Sequence, residues 1–385
     1  MTLAAADLED IVVLRRALHG APELSGAEAD TAAHLRGLLA GCAPDRILSG
    51  LGGHGLAAIW EGRAPGPTVM LRAELDALPI VERTGLPHAS RRPGVAHLCG
   101  HDGHMAILAG VARLLSRRRP AHGRAVLLFQ PAEETGAGAA AVLADPRFAE
   151  IAPDWAFALH NLPGLARGRA ALAPGPVCCA SRGMRLRLTG RSAHASQPET
   201  GCSPAPALAA LMAALPALAP PGPPPGPGFR LVTLTHATLG VPAFGIAPAQ
   251  AELWATLRTM TDAGMAALVE QATRLAQDSA ARHGLALETS WHDVFAHCEN
   301  DPEAVEIIGA AARRAGLKLG RAPLPMRFSE DFGQFGAGAR AALLMLGAGE
   351  EHPALHDEHY DFPDALIAPG VRLFAGVLEA LLGAA

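Results

Sequence analysis

Short apolar runs of strand length, separated by helix-like segments, constrain the fold of this chain more than any other feature. The runs span residues 55–60, 68–72, 125–130, 155–159 and 341–346, and helix-like stretches such as 105–116 and 138–143 lie between them. This alternation is typical of a mostly parallel sheet with helices on both faces. We therefore predict an α/β fold of that kind.

Acidic and imidazole side chains follow several of these runs directly. Glu74 and Asp76 come at the end of the second run, Glu133 and Glu134 after the third, and His160 after the fourth. In open sheets of this type, ligands bind beyond the carboxyl ends of the strands. The sequence thus predicts a functional site at this edge of the sheet.

The segment His97-Leu-Cys-Gly-His-Asp-Gly-His104 adds a thiol and further imidazoles. Cys99 and His101 lie two positions apart in a glycine-punctuated turn. Both can point at one ion if the chain there is extended or looped, whereas on a helix they would diverge. Thiolate and imidazole suit zinc, nickel, cobalt or iron, and carboxylates also suit manganese.

Glu133 and Glu134 are adjacent at the predicted end of a buried strand, where neighbouring side chains point in different directions. One can bind metal while the other accepts a proton from an attacking water as general base. Taken singly, each of these residues is more often structural, since a lone cysteine is commonly a small buried hydrophobe and a Glu-Glu pair a solvated turn. Their joint occurrence predicts a metal-centred site for amide hydrolysis.

The pattern of apolar and polar residues changes near residue 183. Segments 184–189, 230–235 and 249–258 alternate apolar with polar residues, as half-exposed antiparallel strands do, and helix-like stretches 204–215 and 262–283 lie beside them. We predict an inserted α+β lid with a four-stranded antiparallel sheet and two helices on one face. The predicted domains are 1–182, 183–292 and 293–385, with the first and third forming one catalytic domain.

Two local features refine this organisation. Residues 8–18 predict a helix, and a second helix is predicted from Ser25 to Leu39, with Ser25 as N-cap and Glu28 completing a capping box. The proline-rich tract 220–228 is interpreted as a stiff exposed connector inside the lid.

Composition excludes several classes of protein. The 385 residues are half hydrophobic and carry a net charge of −5 without a basic stripe, which argues against nucleic-acid binding. The N-terminus lacks the basic and apolar regions of a signal peptide, and no run of membrane-span length is free of breakers and charge. Six scattered cysteines do not form a disulfide framework, so a cytoplasmic location is expected.

An ordered set of motifs carries a family resemblance across nearly the whole chain. The motifs are Leu71-Arg-Ala-Glu-Leu-Asp-Ala-Leu-Pro79, the Cys-Gly-His-Asp-Gly-His block, Gln130-Pro-Ala-Glu-Glu134, Ala158-Leu-His160, Ser192-Ala-His-Ala195, Ser329-Glu-Asp-Phe332, and Leu355-His356 with Tyr360-Asp-Phe362. The chain resembles the metal-dependent amidohydrolases related to aminoacylase and carboxypeptidase G. Within them it is similar to the branch of hippurate hydrolase and the plant indole-acetyl-amino-acid hydrolases.

The resemblance implies a set of metal ligands that bridge two closely spaced divalent ions, which would be manganese, zinc, nickel or cobalt. These ligands are Cys99, His101, Glu134, His160 and His356. His97 and His104 are weaker candidates for metal ligands, and we favour a structural role for both.

The resemblance also implies roles for residues that do not bind metal. Glu133 would be the general base, and Asp76 would orient a ligand. His194, in the lid, would reach the partner subunit's site in a homodimer and stabilise the oxyanion. Arg258 would receive the substrate's α-carboxylate, although a strand-terminal salt bridge is nearly as plausible for an arginine at that position.

Three departures from the family pattern fall around the substrate rather than the metal. Glu199 stands where a histidine is frequent, Gly245 where many members have asparagine, and Glu358 where proline is common. They leave the acyl and amine parts of the substrate open.

The sequence therefore predicts a cytoplasmic, homodimeric two-metal amidohydrolase that cleaves the amide of an N-acyl amino acid or similar small conjugate. A dipeptidase or aminoacylase-like peptidase is the alternative within the same superfamily. A metal-containing binding homologue without turnover is the alternative from another class. The intact Glu133 beside Glu134 argues against that last alternative, because a decayed site would lose its base first.

Overall fold

The computed structural model describes residues 2–219, 226 and 228–383. Its helices are α1 (Ala5–His19), α2 (Ala29–Ala40), α3 (His101–Arg117), α4 (Gly138–Ala144), α5 (Ala205–Ala217), α6 (Asp262–Arg282), α7 (Pro302–Arg314) and α8 (Ile367–Leu382). Short 3₁₀ turns lie at Pro146–Glu150, Pro198–Thr200, Asp331–Ala337 and Asp364–Leu366. The predicted tract 220–228 falls almost entirely outside the described residues.

The strands are β1 (Arg46–Leu51), β2 (Gly55–Glu61), β3 (Ala64–Glu74), β4 (His122–Gln130), β5 (Trp155–Pro163), β6 (Arg169–Ala171), β7 (Gly175–Cys178), β8 (Ala180–Thr189), β9 (Ala193–His194), β10 (Arg230–Leu239), β11 (Ile246–Ala247), β12 (Gln250–Thr259), β13 (Ala286–Phe295), β14 (Cys298–Asn300), β15 (Lys318–Gly320) and β16 (Arg340–Gly349).

An eight-stranded sheet forms the centre of the first part of the fold, in the order β1-β2-β4-β3-β5-β16-β6-β15. The four central strands β4, β3, β5 and β16 are mutually parallel. Their middle residues are buried without alternation, which means that both faces of the sheet are covered. The predicted α/β fold class is confirmed.

Helices α1, α3, α7 and α8 pack against one another and form a large apolar core with the sheet. The stretch Asp364–Leu382, which includes α8, is long and apolar enough to cross a membrane by length and composition alone. The stretch contains Pro369, Arg372 and Glu379, so it is not free of helix breakers and charge. In addition, 56% of its 18-residue window is buried inside the protein, as in a core helix.

The chain divides into two units. The first contains Met1–Val177, Cys298–Leu324 and Asp331–Ala385, and the second contains Cys178–His297 with Pro325–Glu330. The second unit has a four-stranded antiparallel sheet in the order β10-β12-β8-β13. Its inward-facing residues, such as Leu186 and Leu253, form a separate apolar core with α5 and α6.

The predicted capping box at Ser25 and Glu28 is wrong, because α2 begins only at Ala29. The Ser25 hydroxyl instead donates a hydrogen bond to Asp76, 2.7 Å away, and Glu28 accepts one from the backbone of Ala132 at 2.8 Å. The helix start is capped by Glu23, which accepts the backbone N–H of Thr31 at 2.7 Å. Long-range partners thus outcompete the local motif.

Candidate metal centre

The predicted ligands of the first unit gather at the carboxyl ends of its parallel strands. β3 ends at Glu74, β4 ends at Gln130 just before the Glu133–Glu134 pair, and β5 carries His160 near its end. Helix α3 begins at the same edge and presents His101 from its first turn. The topology therefore brings together residues that are far apart in the sequence, as the rule for open sheets predicts.

Gly100 fixes the geometry of the Cys99–His101 turn. It is the residue before α3 and has a φ of +92°, which L side chains rarely adopt. A Cβ at this position would also collide with the side chains of Asn161 and Tyr360. Cys99 and His101 would diverge if both lay on a helix, but α3 begins only at His101, and the left-handed glycine before it lets both side chains face the site.

The Cys99 thiol lies at the centre of the cluster. Its Sγ is 3.4 Å from His160 Nε2 and is almost fully buried. Burial raises the pKa of Cys99 well above its usual value, and the carboxylates of Glu134 and Glu133 raise it further. A neutral thiol is therefore favoured here until a cation compensates for the surrounding negative charge.

His160 is held as a neutral ligand. Its Nδ1–H donates to the backbone oxygen of Asn161 at 2.8 Å, so the lone pair of Nε2 faces Cys99. Burial lowers the pKa of His160 to about 3, and the nearby His104 acts in the same direction. A neutral imidazole whose second nitrogen is fixed in this way is the usual form of a metal-binding histidine.

His101 is oriented by Asp76. Its Nδ1–H donates to the backbone oxygen of Asp76 at 2.9 Å, and its buried Nε2 has no hydrogen-bond partner among the described residues. Burial alone would lower the pKa of His101, but Asp76, Glu74 and Glu134 outweigh it and raise the pKa to about 10. This nitrogen thus lies in a negative environment that favours a positive charge at or near it.

The carboxylates of Glu133 and Glu134 lie near His101 Nε2. Oε2 of Glu133 is 3.9 Å and Oε1 of Glu134 is 3.8 Å from that nitrogen. Glu133 also accepts the backbone N–H of Asp331 at 3.4 Å, whereas the backbone N–H of Glu134 donates to Asp76 at 2.9 Å. The two adjacent carboxylates are therefore held by different partners, which allows them different roles.

His356 reaches the cluster from the C-terminal segment. Its Nε2 is 3.6 Å from Oε2 of Glu134, and its backbone N–H donates to Leu98 at 2.8 Å. The side chain is about half exposed and the residue has a φ of +68°. It is the most accessible member of the cluster.

His104 supports the site rather than offering a free nitrogen. Its Nδ1 donates to Glu74 at 2.7 Å, and its Nε2 accepts from Nδ2 of Asn161 at 3.1 Å. The same Asn161 amide donates to the backbone oxygen of Cys99 at 2.7 Å, and Asn161 accepts a hydrogen bond from Tyr360. His97 is buried with its pKa lowered by burial to about 4, and it has no hydrogen-bond partner among the described residues.

Asn161, together with Ser25 and Glu28, was not predicted as part of the site. Asn161 directly follows the predicted ligand His160, and this adjacency is the signal in the sequence that could have identified it. Ser25 and Glu28 gave no such signal, because their partners are distant in the sequence.

The donor atoms fit two metal ions. The ligand atoms of Cys99, His101 and His160 lie within 4.8 Å of one another, and so do those of Cys99, Glu134 and His356. The two groups share the thiol. Buried nitrogen, sulfur and carboxylate donors with an excess of negative charge suit divalent transition metals.

His194 and Arg258 belong to the second unit. His194 is exposed at the end of β9, and its Nδ1 accepts the backbone N–H of Ser196 at 3.2 Å, so Nε2 carries the proton.

The Arg258 guanidinium donates to the backbone oxygen of Arg327 at 3.1 Å and to Ser329 Oγ at 3.0 Å. It has no acidic partner among the described residues, and burial lowers its pKa. The strand-terminal salt bridge considered for Arg258 is therefore absent from the described part of the chain.

The fold and this cluster define a class of protein, the metal-dependent hydrolases that act on amide bonds. Residues 70–380 match the model of "Peptidase family M20/M25/M40". The chain belongs to this family.

Relatives extend the similarity over nearly the whole chain. The chain is 31% identical over 354 residues to an N-acetyl-L-cysteine deacetylase of Bacillus subtilis, covering 90% of this chain and 82% of that one. It is 28% identical to an N-acetyldiaminopimelate deacetylase of Oenococcus oeni, covering 97% and 98%. The crystal structure of the Bacillus subtilis YXEP protein, described as a dinuclear metal binding peptidase, superposes with a TM-score of 0.80 and 27% identity over 98% of this chain and 99% of that one.

Proposed function

We propose that this enzyme hydrolyses the amide bond of N-acyl amino acids, with Cys99, His101, Glu134, His160 and His356 holding two divalent ions. The observation that carries the proposal is the pair of ligand groups that share Cys99, with Glu133 beside them. Bound divalent ions would polarise the amide carbonyl. They would also lower the pKa of a water molecule, so that it loses a proton more easily and attacks as hydroxide. Manganese, zinc, nickel and cobalt all suit the mixed donor set.

Glu133 is the general base in this proposal. Its Oε1 is held by the Asp331 backbone, which leaves Oε2 directed toward the cluster. Glu133 takes the proton from the attacking water and then gives it to the nitrogen of the leaving amine. Asp76 keeps its neighbour His101 in the tautomer that exposes Nε2.

His194 and Arg258 would act on the substrate. The Nε2–H of His194 is an exposed donor of the kind that stabilises a tetrahedral oxyanion. Arg258 is half-buried and has no carboxylate partner in the described part of the second unit, so it is suited to receive the α-carboxylate of an amino acid. The N-acetyl amino acids named for two relatives make acetyl the first acyl group to test.

The second unit is proposed as a lid that also forms a homodimer. Next to His194, the strand pair β9–β11 and the preceding segment expose Val241, Phe244 and Ile246, and Phe244 is fully exposed. Apolar side chains exposed together are typical of an interaction surface. A cytoplasmic location is proposed because six cysteines scattered along a chain of this length do not have the spacing of a disulfide framework.

A substrate panel tests the proposed reaction. The purified protein, loaded in turn with Mn²⁺, Zn²⁺, Ni²⁺ or Co²⁺, is assayed against N-acetyl, N-benzoyl and N-indoleacetyl amino acids and against dipeptides, with Glu133→Gln as the matched control. We expect release of the free amino acid from at least one N-acyl series. Faster cleavage of dipeptides would instead identify a dipeptidase, and no turnover with any metal or substrate would refute the proposal.

A further inference from the structure

Glu28 is a fully buried acid in the first unit without a cationic partner among the described residues. Its Oε1 accepts two backbone hydrogen bonds, from Gly26 at 2.8 Å and from Ala132 at 2.8 Å. Its Oε2 is buried and has no hydrogen-bond partner in the described part of the chain. A buried carboxyl is costly to maintain, so a specific role for it is expected.

The residue that Glu28 holds, Ala132, directly precedes the proposed base. Ala132 has a φ of +51°, in the left-handed region that residues with a Cβ rarely adopt. Its carbonyl oxygen accepts the backbone N–H of Gly138 at 3.0 Å, and its own N–H is the group bound by Glu28. Glu28 thus secures one end of a strained residue whose orientation sets the direction of the chain entering Glu133.

The same N-terminal segment supports the other side of this loop. Ser25 Oγ donates to Oδ2 of Asp76 at 2.7 Å, and that oxygen also accepts the backbone N–H of Glu134 at 2.9 Å. The loop 132–134 is therefore fixed at both ends by contacts that begin at Ser25 and Glu28. Of the two, only Glu28 binds the loop directly.

We propose that Glu28 is a positioning residue for catalysis, which acts by holding Ala132 in its left-handed conformation and thereby aiming the carboxylate of Glu133. The proposal rests on the proposed function, in which Glu133 is the general base. Misplacement of a reacting group by about 1 Å can cost roughly 100-fold in rate, so a contact of this kind has a measurable effect.

The hydrogen-bond pattern predicts which replacements are tolerated. Among the residues that the structure describes, the partners of the Glu28 carboxyl bind Oε1, and burial raises the pKa of this carboxyl. Glutamine keeps an oxygen at the Oε1 position and places its amide where Oε2 has no partner. Methionine matches the length of glutamate but removes the acceptor. Glu28→Gln is therefore the conservative variant and Glu28→Met the disruptive one.

The experiment measures kcat, KM and bound metal for the metal-loaded full-length enzyme and its variants, with and without Glu133→Gln. Glu28→Met is expected to lower kcat roughly 10- to 100-fold with KM and metal content unchanged, whereas Glu28→Gln stays within about twofold of wild type. In the Glu133→Gln background, Glu28→Met should cause no further loss, because there is no base left to aim. Glu23→Met is the control, since this buried acid of the same segment caps α2 without touching the loop.

The outcomes separate the positioning role from a structural one and from the proposed function. Unchanged kcat in Glu28→Met, or an equal loss with and without Glu133, overturns the proposal. If Glu28→Met does not fold, Glu28→Asp takes its place in the same cycle, and failure of both to fold assigns Glu28 to folding alone. Full activity of Glu133→Gln on its own would instead refute the role of the base, whatever Glu28 does.

Discussion

Cys99 Sγ lies 3.4 Å from His160 Nε2, although the two residues are 61 positions apart in the chain. Because His160 donates its Nδ1–H to a backbone carbonyl, the thiol proton of Cys99 is the hydrogen available to lie between the two atoms. The contact thus joins the start of α3 to the end of β5 at the place where a cation would replace that proton. Its consequences can be measured.

Metal binding should release protons. The raised pKa of Cys99 means that the metal-free thiol is protonated at neutral pH, so metal retention is expected to weaken as the pH falls. Titration of the metal-free enzyme with Zn²⁺ in a weakly buffered indicator solution measures the release. Cys99→Ser should bind metal more weakly and release about one proton fewer. Equal release from both proteins would show that Cys99 is not a ligand.

Glu133→Gln should keep the fold and the metal but lose turnover. An amide can hold a water molecule but cannot take its proton, and loss of a general base alone costs roughly 10²–10⁴-fold in kcat. The measurements are kcat at saturating substrate, metal content and the thermal midpoint. A kcat near that of wild type would refute the assigned role.

Activity is expected to depend on His194 from a partner subunit. Mixing Glu133→Gln subunits with His194→Ala subunits would then restore activity, because one hybrid site contains both intact groups. Subunit exchange is followed in parallel by mass spectrometry of differently tagged chains. No recovery despite complete exchange would mean that His194 acts within its own chain or not at all.

Arg258→Ala should discriminate between substrates. Because Arg258 has no acidic partner in the described part of the second unit, its removal is expected to lower kcat/KM for N-acyl amino acids by about 1.5–3 kcal/mol. The loss should be much smaller for the corresponding amino-acid amides. Arg187→Ala is the matched control, since Arg187 already faces Glu288 at 3.5 Å. An equal loss on both substrate series would make Arg258 structural.

The buried pair of His19 and Asp102 should make stability depend on pH. Nδ1 of His19 is 2.9 Å from Asp102; burial lowers the pKa of His19, but Asp102 and Glu82 outweigh it and raise the pKa to about 10, above the unfolded value of 6.5. A raised histidine pKa stabilises the fold fully below about pH 6.5 and less as the pH rises toward 10. His19→Gln is expected to lose about 3 kcal/mol of unfolding free energy near pH 6 and little near pH 10. Exposed His34→Gln serves as the control, and a pH-independent loss would contradict the prediction.

Local patterns predicted the parts of this molecule that depend on local physics. The apolar runs 68–72 and 125–130 became β3 and β4 because continuous apolar character specifies a strand buried on both faces. The edge of the sheet at which the predicted ligands meet also followed from the sequence, since it depends only on strand direction. These inferences need no knowledge of which side chains touch.

The errors have a common physical cause, which is competition from distant partners. Ser25 and Glu28 have the spacing of a capping box, yet they bind Asp76 and Ala132, 51 and 104 positions away. Asn161 supports Cys99, His104 and Tyr360 in the same way, and Tyr360 is 199 positions away. A local motif cannot show that a hydrogen-bond partner far away in the sequence will lie closer in the folded chain than the partner within the motif.

The discontinuity of the first unit has a consequence for biosynthesis. Residues up to Val177 are completed only by Cys298–Leu324 and Asp331–Ala385, and the body of the second unit is encoded between them. Cys99, His101, Glu134 and His160 thus leave the ribosome long before His356, and the second unit can fold in the interval. A prematurely terminated chain that ends before residue 356 therefore lacks one of the five proposed ligands. With the proposed ligand set, full metal occupancy requires a chain whose translation has passed residue 356.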